Sequence, residues 1–190
     1  MVVDEDVAVA LRERSHAQVA VFVAGCVERM AQMFIGLRGD APGRDNDVDT
    51  VIRLLEELWN SEVPRKKFQS YVDCLSDFPE LDDSFDEEIV DPGEIYSFYA
   101  VLALRYAALH RSRGEIEAAL KCAHACLTAM GQLDQNIPVA MFFAQETECQ
   151  QRVVSSCPPD GAADEVAQLR VADRVMGQER LAALQERLSY

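Results

Sequence analysis

The sequence predicts an all-α, single-domain helical bundle of about six to eight helices. Three observations predict it. Apolar residues recur at helical spacing along nearly the whole chain, and no stretch alternates apolar and polar residues as a half-buried strand would. Helix-starting and helix-stopping residues fall between the apolar stripes. At 190 residues the chain is long enough to bury a hydrophobic core without staples and short enough for one domain.

Val3, Val7, Ala10, Leu11 and Arg14 suggest a short leading helix that meets the next one at Ser15. Ser15 and Gln18 have capping-box spacing, and Val19, Phe22, Val23, Cys26, Val27, Met30, Phe34 and Leu37 form one stripe over 16–38. Residues 39–46 are turn chemistry, after which Asp47 is placed to cap a helix carrying Val48, Val51, Ile52, Leu55, Leu58 and Trp59. Pro64 suits the first turn of a helix with the stripe Phe68, Tyr71, Val72 and Leu75, which runs out at Phe78-Pro79. A loop over 80–90 follows. Asp91, Pro92 and Glu94 combine an N-cap acid, a proline at the first helical position and a glutamate three residues after the cap. The helix they open, to about Ser112, is apolar on more than one face and belongs in the middle of the bundle.

Gly114 breaks the chain before an Ala-rich helix with Ile116, Ala119, Leu120, Ala123, Leu127 and Met130, expected to stop at Gly131. So short a connection makes the two helices an antiparallel hairpin. Asn136-Ile137-Pro138 opens a further helix running through Val154. Cys157-Pro158-Pro159 is the clearest break, dividing a bundle core over 1–157 from a C-terminal region over 158–190. There a charged helix over 163–188 carries a thin stripe of Val166, Leu169, Met176, Leu181, Leu184 and Leu188, and is expected to pack along the bundle or on a partner.

Acidic side chains number 33 against 18 basic ones, for a net charge of -15. Such a field repels nucleic acid and anionic lipid and favours a basic protein partner. The acidic N-terminus differs from a secretory signal, and no apolar run is expected to reach the roughly 18 residues that cross a bilayer. Six cysteines stand at irregular spacings, five of them (Cys26, Cys74, Cys122, Cys126, Cys149) inside apolar helical patterns, so reduced thiols and a cytoplasmic location are expected.

No phosphate-cradling loop, dinucleotide fingerprint or zinc-protease helix occurs, and the nine glycines read as turn residues. Cys122, His124 and Cys126 share a helix, but the middle position points away from the other two, so they do not converge on a metal. His110 beside Arg111 and Arg113 reads as a helix-end cation, and His16 has no evident partner. Neither these nor the glutamate pairs match a catalytic or di-iron pattern, so no catalytic, cofactor or metal residue is assigned. The most unusual stretch is 77–94, with nine carboxylates and neither Lys nor Arg. Within it Asp82, Asp83, Asp86, Glu87 and Glu88 are the candidate partner-binding residues. Phe78, Leu81, Phe85 and Ile89 are interleaved as in a loop pinned to a bundle, against the alternative of a merely solvated connection.

Phe22 to Met30, Ile52 to Trp59, Phe78 to Asp83, and the helix pair about Gly114-Glu115 resemble, in order and spacing over 16–150, the bacterial family catalogued as domain of unknown function 416. The resemblance implies an all-α cytoplasmic bacterial protein. It makes Glu28-Arg29 and Asp82-Asp83 polar landmarks and Trp59 a core anchor, and it implies no reaction. The reading expected from these observations is a non-enzymatic acidic binding protein, of immunity or adaptor type, that masks a basic partner such as a toxin domain. Two alternatives are an enzyme or small-ligand carrier with a pocket lined by Tyr96, Tyr99, Arg105 and Tyr106, and a scaffold that forms homo-oligomers through the C-terminal helix.

Overall fold

The computed structural model describes residues 3–82, 91–137, 140–156 and 163–189. Among them are eight α-helices and no strand: α1 (Glu5–Glu13), α2 (His16–Arg38), α3 (Asp45–Leu58), α4 (Arg65–Ser76), α5 (Pro92–Arg113), α6 (Ile116–Asn136), α7 (Phe142–Ser156) and α8 (Ala163–Leu188). A single 3-10 turn, Pro79–Leu81, follows α4. The protein is an all-α bundle.

The bundle is arranged around α2, which packs against α3, α5, α6 and α8. Its start follows from the sequence: Ser15 Oγ accepts from the Gln18 N–H while Gln18 Oε1 accepts from the Ser15 N–H, a capping box. Phe22, Val23, Cys26, Val27, Met30 and Phe34 are all buried. By length and composition α2 could cross a membrane, contrary to the expectation that no segment reaches that span; 78% of its apolar window is buried inside the bundle.

Its neighbours α5 and α6 form the hairpin about Gly114, which adopts φ 76° as the left-handed residue that ends α5. Asp91 caps α5 through the Gly93 N–H, with Pro92 in the first turn. Bonds from Arg105 Nε to Ser76 Oγ and from Ser112 Oγ to Gln69 Oε1 fix α4 antiparallel to α5.

Several expectations need correction. Helix α3 begins at Asp45, with Arg44 in the cap position; Asp47 makes no cap and instead takes the Arg44 guanidinium at 2.6 Å. Helix α6 does not stop at Gly131. It continues to Asn136 because Met130, Gly131 and Leu133 are all buried, and such packing overrides the roughly 1 kcal/mol cost of a helical glycine. Helix α7 begins at Phe142, and Asp134 on α6 accepts from the Phe142 and Phe143 N–H groups at 2.7 and 3.0 Å. Asn136, expected at that start, donates to the Tyr96 hydroxyl.

Trp59 is half-buried at the end of α3 rather than a central anchor, and Cys74 is exposed. Nor are all glycines turn residues. Helix α8 lies on α2, and a Cβ on Gly25 would meet Asp173 Oδ2 at 2.6 Å, one on Gly36 would meet Leu181 Cδ2 at 2.2 Å, and one on Gly177 would meet the Arg29 carbonyl at 2.8 Å. These glycines let the two backbones approach.

Candidate functional site

Of the predicted partner-binding residues, Asp82 is exposed at the end of the Pro79–Leu81 turn; Asp83, Asp86, Glu87 and Glu88 lie outside the described residues. The base of this acidic segment is held firmly. Phe78 is buried and stacks on Phe34 with ring centroids 5.9 Å apart, and Leu81 packs against the core. Glu80, 3% exposed, accepts from Arg38 Nε at 3.1 Å and from Arg44 Nη2 with both oxygens, at 2.9 and 2.7 Å. Burial works against the Arg44 charge, but Glu80 and Asp47 outweigh it and hold its pKa above the usual guanidinium value. Sequence reasoning counted Glu80 among the nine carboxylates of the segment; the structure buries it as an internal partner of Arg38 and Arg44.

A second constellation is fully internal. Arg29 on α2 donates from Nε and Nη2 to the two oxygens of Glu146 on α7, each at 2.8 Å, and from Nη1 to Asp173 Oδ1 on α8 at 2.7 Å. Arg180 on α8 stands 2.9 Å from Glu146 Oε2, and Gln150 donates to Glu146 Oε1 at 2.9 Å. The two arginines and two carboxylates are each at most 1% exposed and sum to no net charge. Burial alone would raise the Glu146 carboxyl, but Arg29 and Arg180 override it and hold it at about 2. Asp173 goes the other way. Burial dominates and pushes its pKa up, in keeping with a partner on Oδ1 only and none on Oδ2.

Next to this group on α2, Glu28 is also buried. It accepts from the Trp59 indole N–H at 2.8 Å and from Arg174 Nε at 2.7 Å, with Arg170 Nε at 3.4 Å. Arg170 also reaches Glu56 on α3 with both terminal nitrogens. The adjacent pair Glu28-Arg29 thus fastens α8 to α2, α3 and α7. On α8 the buried positions are Asp173, Gly177, Arg180 and Leu184; of the apolar stripe read from the sequence Leu184 is buried and Leu169 and Leu181 pack against the core, and Asp173, Gly177 and Arg180 join them.

The thiols come together in a way the sequence does not show. Cys26 on α2 joins Cys126 on α6, and Sγ of both and a Glu146 oxygen lie within 4.8 Å of one another, a spacing that metal ligands can have. Both Glu146 oxygens already accept from guanidinium groups, and two arginines beside the position oppose a further cation. Cys126 Sγ donates to the Cys26 carbonyl, and burial pushes its thiol pKa well up. His124 is exposed on the opposite side of α6.

Tyr96, Tyr99, Arg105 and Tyr106 do not line the cleft described below. Tyr96 is buried with its hydroxyl on Asn136, and Tyr106 packs under the Lys121 ammonium, while Arg105 bonds Ser76. A cleft of about 200 Å³ lies where the start of α2, the start of α4 and the end of α5 meet.

No family model matches the chain. No curated protein matches it. No solved structure matches it either. The resemblance to the domain of unknown function 416 family therefore rests on the quoted segments alone.

Proposed function

We propose that the protein is a non-enzymatic, cytoplasmic binding module whose acidic end docks a basic protein partner, as an immunity or adaptor protein would. The observation that carries this reading is the inward turn of Arg38 and Arg44. Arg38 and Arg44, the basic residues at the root of the acidic segment, both bind buried Glu80, and exposed Asp77 stands on the same segment. A negative field on a rigid base captures a cationic surface quickly and disfavours acidic competitors. The deep titratable groups are engaged with one another, which supports binding rather than catalysis.

Affinity capture from native cells tests the reading, comparing the wild type with a variant carrying Lys at positions 77, 82, 83, 86, 87 and 88. A basic protein retained by the wild type and lost from the variant is the expected result. Identical captured proteins for both forms would contradict it.

A further inference from the structure

The far end of α4 and α5 from the acidic segment carries a cationic cleft. Because α4 and α5 run antiparallel, Arg65 at the start of α4 meets His110 and Arg111 at the end of α5, and α5 alone separates the two ends by about 33 Å over its 22 residues. His16, the first residue of α2, completes the cleft wall, and no carboxylate lines it. In a chain of net charge -15, two guanidinium groups and two imidazoles share one cleft without an acidic partner. Among the described residues the Arg65 side chain makes no hydrogen bond or ion pair. Arg111 donates to the Leu58 and Asn60 carbonyls and lies over the Phe68 ring at 4.6 Å, which fixes its guanidinium at the cleft. The N-termini of α2 and α4 add positive potential, and the cap residue of α4, Pro64, makes no side-chain cap.

His110 supplies the second half of the argument. It is 2% exposed, and its Nδ1 lies 3.0 Å from the Glu115 carbonyl; a carbonyl only accepts, so Nδ1 carries the hydrogen. Burial first, then His16, Arg111 and Arg65, push the imidazole pKa down and so favour the neutral ring, against the opposing pull of the Glu115 carbonyl. A neutral ring protonated at Nδ1 leaves Nε2 as an acceptor. His16 stands with its ring centroid 6.4 Å away, in space that only a glycine at 114 leaves open: a Cβ there would meet His16 Cε1 at 2.9 Å.

We propose that this cleft binds a protonated oxyanion, either hydrogen phosphate or the phosphomonoester of a small molecule. The guanidinium groups supply donors for the anionic oxygens, and the ring nitrogen accepts from the remaining P–OH. Sulfate, with no hydrogen to donate at neutral pH, leaves that acceptor unmatched and binds more weakly. The volume of about 200 Å³ lies below the roughly 300–1,000 Å³ of sites for larger ligands, which suits a phosphate group with at most a short substituent.

The test is NMR of the histidine rings in the full-length protein during titration with inorganic phosphate, O-phosphoserine, sulfate, and sodium chloride at matched ionic strength. Phosphate is expected to shift His16 and His110 saturably and to raise Tm, since a ligand of the folded state stabilises it. Sulfate is expected to bind at least about tenfold more weakly, and Arg65→Ala to weaken phosphate by about tenfold. Arg65 is exposed, so the variant's Tm without phosphate should match the wild type. Tighter binding of O-phosphoserine assigns the cleft to a phosphomonoester, and tighter binding of inorganic phosphate assigns it to the free ion. Shifts no larger than those from chloride, sulfate affinity equal to phosphate, or unchanged affinity in Arg65→Ala would each overturn the proposal.

Discussion

Glu146 is the residue that holds the buried charges together, since it pairs with both Arg29 and Arg180. Replacing it by Gln keeps the volume and leaves two buried guanidinium groups facing one carboxylate, so Glu146→Gln should cost about 3–5 kcal/mol in urea unfolding. Asp173→Asn should cost less, because Arg29 keeps Glu146 and one Asp173 oxygen already lacks a partner. The depressed carboxyl also sets a pH dependence. With a folded pKa of about 2 and an unfolded value near 4.3, the Glu146 contribution is complete above about pH 4.5 and is lost as pH falls through about 2. Asp173, raised by burial, acts in the opposite sense as it protonates. The stability gap between wild type and Glu146→Gln should therefore close between about pH 4.5 and 2; a gap that stays constant would remove Glu146 from this role. Trp59→Phe should cost only about 1 kcal/mol in the same assay, the value of one hydrogen bond, because Glu28 retains Arg170 and Arg174.

Among the elements, α8 is the one whose position depends most on small residues. An added methyl at Gly177 meets the Arg29 backbone at 2.8 Å and Gln32 Cγ at 2.7 Å, and backbone cannot swing aside. Gly177→Ala should cost about 1–3 kcal/mol and speed hydrogen exchange in α8 while α5 stays protected. Equal exchange in α8 of both proteins would show that the contact is not tight. The start signals of α2 and α5 were legible in the sequence because Ser15 with Gln18, and Asp91 with Pro92, act within one turn. The start of α7 was not, since its capping residue Asp134 precedes Phe142 by eight positions and belongs to α6. The α8 seam was hidden for a related reason. Asp173, Gly177 and Arg180 look polar or neutral until Glu146 and Arg29 are placed opposite them, and Glu28-Arg29 look like surface charges until α8 covers them. The cleft residues come from three separate segments, and nothing local to His16, Arg65 or His110 announces their meeting.

Along α4 and α5 the exposed acids Asp77 and Asp82 stand at one end and the cleft of Arg65, His110 and Arg111 at the other. This separation exceeds the screening length of about 8 Å at physiological ionic strength, so the acidic segment does little to neutralise the cleft. It also sharpens the central claim, because steering by the acidic end acts on association more than on dissociation. The most direct measurement is the association rate of the captured basic partner as a function of ionic strength, for the wild type and for the variant with Lys at positions 77, 82, 83, 86, 87 and 88. The wild-type rate should fall steeply with added salt, while the variant should associate slowly and show little salt dependence. Equal rates and equal salt slopes would contradict the claim and leave the acidic segment a solvated connection between helices.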